Sequence, residues 1–393
     1  MSTDHLRACF VLPADQVDQP RLVLGMSSGT SADGLDLALV RIVGAGLQRQ
    51  VEFIAGAEVP LQAHSRAAIR RAAEWKISEL AHWHYHLAVE FGQLAADFLA
   101  QHGISAGELT LAGSHGQTVY HHDGDFQDGT LQIADPAVIA YQLSCPVIAD
   151  FRWNDIAAGG QGAPISPFAD WVLHHAVGES IVILNLGGIA NLTLLRGTEP
   201  PAAWDSGPAN GPLDALMQAQ SNWEFDRDGK IAAQGKIDPN LLTELQSDPF
   251  FRRRLPRSTG LERFGASLTA RIRQIAPATS LPDQLRTCCA LAAWAVAQSL
   301  EIAVGDPSEK ISLPIYVCGG GGHNPVLTEE LQFALPQAKF HNYSELHGNP
   351  DLREAQAFAL LADACFLGEY SAWPSTTGAR HPVILGKIVP SCI

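Results

Sequence analysis

The stretch GMSSGTSADGLD at residues 25–36 and its counterpart NLGGIANLT at residues 185–193 decide the fold of this chain. Each contains a polar, glycine-rich turn between two apolar runs, at 21–24 and 35–42 for the first and at 181–184 and 189–195 for the second. This pattern predicts two strand–loop–strand hairpins. Glycine lets a ligand approach the backbone N–H groups, and Ser and Thr add hydroxyl groups for phosphate oxygens or cation-bound water. We therefore predict two half-sites that face each other.

The second hairpin begins about 160 residues after the first, which indicates an internal duplication. At 393 residues the chain is too long for one ordinary core, and a prior of about 150 residues per domain favours two or three domains. We predict a flexible leader at 1–20, an N-terminal domain at 21–178, a C-terminal domain at 179–370 and an irregular tail at 371–393.

Strands and helices alternate along the sequence. Apolar periodicity predicts strands at 51–59, 109–112 and 315–318, and helices at 61–73, 78–101, 285–304, 325–334 and 351–366. This alternation predicts an α/β architecture of mixed β-sheets with flanking helices. Residues 222–282 are polar, and their composition predicts few elements beyond helices that line a cleft.

Composition narrows the classes of function. A formal net charge of −15 disfavours binding to nucleic acids or anionic membranes, so a polyanionic ligand must be held by local N–H groups and a cation. Seven cysteines without C-x-x-C spacing indicate reduced thiols and no zinc site. No secretory signal precedes Pro13, and the apolar run at 288–297 is shorter than the ~20 residues of a membrane span. We predict a cytoplasmic protein.

The chain lacks the two common nucleotide-binding loops, G-x-x-x-x-G-K-[ST] and G-x-G-x-x-G after a strand. Two hairpins that close on the β- and γ-phosphates of ATP, with Mg²⁺ between those phosphates, are the remaining way to hold a triphosphate with glycine loops. The four glycines at 319–322 follow a predicted buried strand and favour a close backbone approach by the nucleoside. We therefore predict ATP and Mg²⁺ as cofactors.

Six motifs in fixed order strengthen this prediction. The first is GMSSGTSADGLD at 25–36. The other five are SHGQT at 114–118, ADFR at 149–152, GGQGAP at 159–164, LNLGGIAN at 184–191 and DSGPAN at 205–210. Together they closely resemble the anhydro-N-acetylmuramic acid kinases, bacterial sugar kinases of the actin, hexokinase and heat-shock-chaperone ATPase superfamily. The chain departs slightly from the family pattern, with Ser27 where Met is usual and Ser206 where Thr is common.

The resemblance implies a two-domain actin-like ATPase fold, related to ribonuclease H, with duplicated sheet domains and a cleft between them. It also implies that the enzyme hydrolyses the anhydro bridge of 1,6-anhydro-N-acetylmuramic acid and phosphorylates the released oxygen, in peptidoglycan recycling and amino sugar catabolism. Asp205, which matches the aspartate of the family motif, is the expected general base for the attacking water.

The motifs also assign binding roles. The residues expected to bind ATP are Gly29, Thr30, Ser31, Ala32, Asp33, Gly34, Asp36, Asn185, Gly187, Gly188, Asn210, Gly319, Gly320 and Gly321. Asp33 and Asp36 are the expected Mg²⁺ ligands, directly or through water, although Asp36 equally fits a brace within the hairpin. The residues expected to contact the sugar are His115, Asp155, Gln161 and Glu354.

Structural alternatives remain for several of these residues. Asp155 fits a turn cap, His115 a loop contact and Glu354 an ordinary acidic residue in a first helical turn. The basic cluster at 252–257 fits a solvated loop better than a contact to a substrate anion. His82 and His86 share a helical face, but without a partner carboxylate motif they do not indicate a metal site.

Two other function classes are open to a chain of this kind. A superfamily kinase for a small acid or polyol would lack the loops at 155–164 and 205–210. A nucleotide-driven interaction protein would carry a peptide-binding domain or filament surfaces, and no such appended domain is evident in the sequence. The expected partners are therefore the sugar and ATP, with self-association as a homodimer.

Overall fold

The computed structural model describes residues 17–29, 33–121, 129–177, 180–305, 312–346 and 348–391. The strands are β1 Arg21–Ser28, β2 Gly34–Val43, β3 Gln50–Pro60, β4 Leu111–His121, β5 Thr130–Ile133, β6 Val147–Ala149, β7 Ile181–Leu186, β8 Ile189–Leu195, β9 Ala202–Pro208, β10 Pro314–Cys318, β11 Lys339–Asn342 and β12 Lys387–Val389. The helices are α1 Ala63–Ile69, α2 Ile77–Gln101, α3 Pro136–Leu143, α4 Trp153–Ala157, α5 Pro167–His174, α6 Asn210–Gln220, α7 Pro239–Gln246, α8 Leu261–Phe264, α9 Ala266–Ile275, α10 Leu281–Val304, α11 Pro325–Ala334, α12 Arg353–Leu367 and α13 Pro374–Thr377.

These strands form two sheets with the same core topology. In the first sheet the order is β12-β6-β4-β1-β2-β3, with β5 beside β4, and in the second it is β11-β10-β7-β8-β9. The central strand of each, β1 or β7, pairs antiparallel with the next strand in sequence and parallel with β4 or β10. Both predicted hairpins are confirmed, and the shared strand order supports the inferred duplication.

Apolar side chains on both faces of the central strands account for their position. The β1 residues Leu24 and Met26 pack with α2 and α3 on one face of the first sheet, and Val23 packs with α12 on the other. In the second sheet β7 is covered on one face by α6, α9, α10 and α11. Because strands buried on both faces cannot alternate apolar with polar residues, the near-continuous apolar runs of β1 and β7 mark them as central strands.

Two glycines let α12 lie directly on the first sheet. Gly25 of β1 and Gly113 of β4 are register partners in the parallel pair. A Cβ atom on Gly25 would lie 1.8 Å from the carbonyl oxygen of Ala355, and one on Gly113 would lie 2.3 Å from that of Phe358. Gly25 therefore serves helix packing, although it opens the first glycine-rich motif.

The C-terminal part of the chain returns to the first sheet. Helix α12 packs on β1, β2 and β4, and β12 pairs antiparallel with β6, Lys387 opposite Ala149. The predicted C-terminal domain at 179–370 is therefore wrong at its end, because α12 and β12 complete the N-terminal sheet. The predicted irregular tail is also wrong, since residues 374–377 form α13 and 387–389 form β12.

Helix α10 is the one described helix that is long and apolar enough to cross a membrane. Most of it is buried in the core of the second sheet, where Leu285, Leu291 and Leu300 are fully enclosed. Its apolar character is therefore explained by packing inside the protein.

Candidate functional site

Three adjoining cavities lie in the cleft where the ends of both sheets meet. The hairpin cavity, of about 550 Å³, is lined from the first sheet by residues around Gly29 and Gly34 and from the second by Asn185, Gly187 and Gly319. The two glycine-rich turns therefore contribute to one cavity, as the sequence predicts. Such a junction suits a phosphate chain, because glycine turns expose backbone N–H groups.

The glycines of the second sheet differ in what they do. Gly319 has φ +80°, and a Cβ there would lie 2.5 Å from Asn185 Oδ1, so only glycine fits the turn after β10. Gly187 is open, since a Cβ added there would meet no atom nearer than 3.6 Å. Gly188 instead packs against Leu261, and Gly321 against Leu186. Gly188 and Gly321 do not line the hairpin cavity or the large cavity, and their predicted contact with ATP stays a prediction.

Carboxylates line the floor of the hairpin cavity. Burial first, and then the negative charges of Glu58, Glu354 and Asp351, together raise the pKa of Asp36 to about 7. Mutual repulsion of this kind is relieved by a bound cation. Among the described residues no three His, Cys, Asp or Glu side chains are arranged to hold a metal. Mg²⁺ suits such a site, since it keeps several waters and takes one or two carboxylates together with substrate phosphates.

The large cavity, of about 910 Å³, extends the hairpin cavity along the second sheet. It is lined by the predicted residues Asn210 and Gly320, and also by Asp214, Phe225 and His323, which the sequence did not single out. Burial raises the pKa of Asp214 to about 6. The amide of Asn210 donates to the carbonyl oxygen of Leu186 (3.2 Å), so it joins α6 to the second hairpin.

Nine of the fourteen residues predicted to bind ATP line one of these two cavities. Those that line the hairpin cavity or the large cavity are Gly29, Asp33, Gly34, Asp36, Asn185, Gly187, Gly319, Asn210 and Gly320. Thr30, Ser31 and Ala32 lie outside the described residues.

The Asp205 cavity is smaller, about 170 Å³, and adjoins the hairpin cavity. Asn185, Arg353 and Glu354 line both cavities. Other polar residues on the walls of the Asp205 cavity are His115, Arg152, Ser166, Asn191 and Asp205. A ligand in this cavity would therefore lie beside a ligand in the hairpin cavity.

Asp205 is a buried carboxylate with a raised pKa. Its Oδ2 accepts hydrogen bonds from Ser258 Oγ and from the backbone N–H of Thr259, both at 2.8 Å. Burial raises the pKa of Asp205 to about 6, against the lowering effect of these two hydrogen bonds and of Arg152 and Arg257. The group is thus a stronger base than an ordinary aspartate and is still mainly ionised at neutral pH.

Arg257 supports Asp205 from behind. Its guanidinium donates to the carbonyl oxygens of Asp205, Ser206 and Phe251 and lies over the ring of Phe250, 4.7 Å from the centroid. It is only 2% exposed. Arg257 is therefore neither in a solvated loop nor a contact to a substrate anion, the two alternatives predicted for the basic cluster. It is a buried residue that holds the backbone of β9 at Asp205 and Ser206.

His115 lies within β4, next to Gly116 with φ +70°, and not in the loop that the sequence predicted. Its ring stacks on Phe358 at 4.4 Å between centroids, and Arg152 Nη2 lies 3.1 Å from its Nε2. Burial holds the pKa of His115 well below its usual value, and Arg152 lowers it further. The imidazole is therefore neutral. Since guanidinium can only donate, Nε2 accepts and Nδ1 carries the proton.

Two arginines bring positive charge to the Asp205 cavity. Arg353 is held by Asp170 in a buried, two-point ion pair (Nε–Oδ1 2.9 Å, Nη2–Oδ2 2.5 Å). Arg152 donates to the carbonyl oxygen of Gly162 and to His115, and its buried Nε has no partner among the described residues. Burial lowers the pKa of Arg152 to about 10, so it stays a cation. Arg152 is therefore the cation of this cavity without a carboxylate partner in the described chain.

Asp155 and Gln161 hold loops and do not line the Asp205 cavity. Asp155 is fully buried, and its oxygens accept from Thr377 Oγ1 (2.5 Å) and the N–H of Gly162 (2.7 Å). Gln161 Oε1 accepts from the N–H of Ser258 (2.7 Å). The predicted sugar contacts of both residues are therefore corrected to positioning roles. Asp155 shapes the glycine loop, and Gln161 joins that loop to the segment that holds Asp205.

Glu354, at the start of α12, is exposed to the cleft and accepts a long hydrogen bond from Ser27 Oγ (3.4 Å). Its position on the wall shared by the hairpin and Asp205 cavities is compatible with the predicted sugar contact, which stays a prediction.

Comparison with known proteins gives the family. The family model described as anhydro-N-acetylmuramic acid kinase matches residues 21–391. This chain belongs to the anhydro-N-acetylmuramic acid kinase family. Curated relatives of that name are 35% identical in Caldanaerobacter subterraneus subsp. tengcongensis (94% of this chain, 97% of the relative), 37% in Gloeobacter violaceus (95% and 99%) and 38% in Xanthomonas campestris pv. campestris strain 8004 (94% and 97%).

Two solved structures are similar to this chain at much lower sequence identity. Component A of (R)-2-hydroxyglutaryl-CoA dehydratase from Acidaminococcus fermentans is 12% identical with a TM-score of 0.42, covering 87% of this chain and 97% of that one. A ROK family glucokinase from Streptomyces griseus is 11% identical with a TM-score of 0.36, covering 87% and 99%. These likenesses are too weak to assign a function. The predicted α/β fold class with two related sheets is confirmed by the family and by the strand order.

Besides Asp214, Phe225 and His323, sequence reasoning missed four residues around Asp205 in this family member. The ADFR motif could have identified Arg152 as a site residue, because Arg152 is its last residue. Arg353 sits beside the predicted Glu354. Ser258 and Thr259 carried no signal, since they lie more than 50 residues from Asp205 in a polar segment without a motif.

Proposed function

We propose that this kinase uses ATP and water to convert 1,6-anhydro-N-acetylmuramic acid into N-acetylmuramic acid 6-phosphate, in the cytoplasm and in peptidoglycan recycling. The observation that carries the proposal is the position of Asp205, a buried carboxylate with a pKa of about 6, in a small cavity that adjoins the hairpin cavity. The five described cysteines are all free and buried, which suits a reducing compartment. The homodimer stays a prediction.

Asp205 is the proposed general base. Its Oδ2 is held by Ser258 and Thr259, while no described residue donates a hydrogen bond to Oδ1. Oδ1 is therefore the oxygen suited to take a proton from water. Fixing one oxygen and leaving the other available orients the carboxylate without blocking it.

The hairpin cavity is the proposed phosphate site. Its open glycines fit a close approach by phosphate oxygens, and its crowded carboxylates fit a divalent cation. When bound, Mg²⁺ would neutralise charge on the transferring phosphoryl group, with Asp36 as the ligand or as the acceptor of a bound water. The large cavity then takes the nucleoside.

The sugar is proposed to lie in the Asp205 cavity with its lactyl carboxylate on Arg152. Muramic acid differs from other amino sugars by this carboxylate, and Arg152 has no carboxylate partner among the described residues. His115 fixes the guanidinium by accepting from Nη2, and Phe358 fixes His115 by stacking. Glu354 lies where the sugar and the phosphate chain meet, within reach of a sugar hydroxyl group.

In the proposed reaction, attack by water and transfer of the phosphoryl group each form one bond and break another. The water oxygen bonds to the anomeric carbon as the bond from that carbon to O6 breaks, and one water proton passes to Asp205. O6 bonds to the γ-phosphorus of ATP as the bond to the leaving ADP oxygen breaks. The proton on Asp205 returns to solvent after product release.

Isotope labelling tests this proposal. Purified protein, ATP and the anhydro sugar are incubated in ¹⁸O-labelled water, and the product is analysed by mass spectrometry. We expect one ¹⁸O at the anomeric hydroxyl and phosphate on O6, and neither product in Asp205→Asn. Unlabelled product would contradict attack by water at the anomeric carbon, and turnover retained in Asp205→Asn would assign the base to another group.

A further inference from the structure

One carboxylate on the wall of the large cavity has no role in the proposed reaction. Asp214 lies on α6 and lines this cavity together with Asn210 and Gln218. Successive members of this set are four positions apart, so they share one face of the helix. Helix α6 begins at the second hairpin, where the backbone N–H of Asn210 donates to the carbonyl oxygen of Gly187 (2.9 Å). Asp214 therefore lies one helical turn, about 6 Å along the axis, beyond the start of α6 at that hairpin.

The carboxylate of Asp214 has no hydrogen-bond donor and no cation beside it among the described residues. Burial raises its pKa to about 6, and neither a hydrogen bond nor a neighbouring charge is among the causes of this shift. Its oxygens are nevertheless not enclosed, because Asp214 is half-buried and contributes none of the sealed polar atoms without a partner. The accessible part of the side chain is the part that lines the large cavity. A ligand in this cavity can therefore reach the carboxylate.

The other acidic residues on the second-sheet side of this cavity are paired or solvated. Asp226 accepts from two backbone N–H groups of its own loop, both at 2.9 Å. Asp228 pairs with Lys230 at 3.1 Å, and Glu224 is exposed to solvent. Water or a protein partner therefore satisfies each of these three carboxylates. Asp214 differs from them, since it has lost part of its hydration and has gained no described partner in exchange.

The chemistry of the carboxylate determines what it can bind. With a pKa of about 6, Asp214 is mainly ionised at neutral pH and offers only hydrogen-bond acceptors. A complementary ligand must therefore present donors, and two adjacent donors match the two carboxylate oxygens. In ATP the two vicinal hydroxyl groups of the ribose form such a pair. The ribose also follows the phosphate chain directly, which suits a residue one helical turn from the hairpin, whereas the amino group of adenine lies at the far end of the nucleotide.

We propose that Asp214 is a specificity-determining residue, which accepts hydrogen bonds from the 2′- and 3′-hydroxyl groups of the nucleotide, so that the enzyme selects ribonucleotides over nucleotides that lack these hydroxyls. The inference rests on the proposed position of the nucleoside in the large cavity. It adds the reason for a preference among nucleotides, because a nucleotide without ribose hydroxyls leaves the half-buried carboxylate unpaired. A bound cation is the competing partner for Asp214, and the test separates the two.

Calorimetric titrations with ADP and with 2′,3′-dideoxy-ADP, at one fixed Mg²⁺ concentration, test the proposal. The two nucleotides share the base and the diphosphate and differ only in the two hydroxyl groups. We expect the wild-type protein to bind ADP about 10- to 100-fold more tightly, as hydrogen bonds to a charged group imply. In Asp214→Ala the ratio of the two affinities should fall to about one, because ADP alone loses affinity. Asp228→Asn is the matched control, since it removes a negative charge from the same wall and should keep the wild-type ratio.

Each other outcome would overturn the proposal. Equal binding of the two nucleotides by the wild-type protein, or a preference that survives in Asp214→Ala, would show that the carboxylate does not contact the ribose. Equal weakening of both nucleotides in Asp214→Ala would assign a cation to this carboxylate. No binding of ADP at all would overturn the proposed ATP site and this inference with it, so the two failures are distinguishable.

The stability of the variant guards against a false result. Asp214→Ala removes a carboxylate that burial destabilises and places a better helix former in α6. Its free energy of unfolding should therefore match or exceed the wild-type value, and a folding defect would not be mistaken for lost binding. None of these measurements depends on turnover.

Discussion

Removing the hydroxyl of Ser258 should move the acid limb of the pH profile upward. Ser258 Oγ donates to Asp205 Oδ2 at 2.8 Å, and this hydrogen bond stabilises the ionised carboxylate. In Ser258→Ala that stabilisation is lost while the backbone donor from Thr259 remains. Because the hydrogen bond favours the charged form, its loss raises the pKa of Asp205.

The size of the effect follows from the strength of the bond. A hydrogen bond to a charged group contributes about 1.5–3 kcal/mol, which corresponds to about 1–2 pKa units at 1.36 kcal/mol per unit. The pKa of Asp205 would rise from about 6 to about 7–8. At pH 7 the ionised fraction would fall from about nine-tenths to between about a half and a tenth. We expect activity at pH 7 to fall about two- to tenfold and to recover at higher pH.

The assay measures kcat/KM as a function of pH, with sugar-dependent ADP release as the signal. Ser258→Thr is the matched control, because it keeps the hydroxyl group and should keep the acid limb near that of the wild-type enzyme. An Ala variant that loses activity equally at every pH, with its acid limb unmoved, would refute the role of Asp205 as the titrating base.

Three further predictions concern the base, the sugar and the fold. Asp205→Asn removes a carboxylate whose pKa in the folded state is raised from 3.8 to about 6. The stability that this carboxylate contributes to the wild-type protein is lost as pH rises through about 6, so the variant should gain stability relative to wild type by on the order of 2–3 kcal/mol from about pH 4 to about pH 7. Urea titrations measure this difference. A constant difference across that range would contradict the raised pKa. Arg152→Gln should raise the KM for the anhydromuramic sugar about 10- to 100-fold, with the KM for ATP unchanged; 1,6-anhydro-N-acetylglucosamine, which lacks the carboxylate, should be insensitive, and equal losses for both sugars would argue against the carboxylate contact. Gly25→Ala should destabilise the fold by about 3 kcal/mol or more, since its Cβ would overlap the carbonyl oxygen of Ala355, whereas Gly107→Ala, with no atom within 4 Å, should be nearly neutral in the same urea titration; a neutral Gly25→Ala would mean that α12 shifts without cost.

Local features were predictable because they depend on residues close in sequence. The hairpins follow from apolar runs broken by glycine turns, and α11 begins and ends where Pro325 and the apolar period place it. The buried strand before the four glycines was also predictable. The motif aspartate Asp205 indeed lines a cavity beside the hairpins.

Features that depend on distant contacts were not predictable. No local pattern shows that β12 pairs with β6 or that α12 covers the first sheet, since both depend on segments more than 200 residues away. The same holds for Asp155. The sequence leaves its carboxylate available for a sugar contact, but in the fold the carboxylate accepts a hydrogen bond from Thr377.

The sequence by itself determined the two hairpins, the α/β alternation and the family, because periodicity, turn residues and motifs are properties of neighbouring residues. Only the tertiary structure decided which polar groups remain available. It pairs Gln161 with Ser258, buries Arg257 behind Asp205 and leaves Arg152 with no carboxylate partner in the part of the chain that the structure describes. Availability depends on hydrogen bonds and burial across the whole chain, and these exist only once the two sheets have packed together.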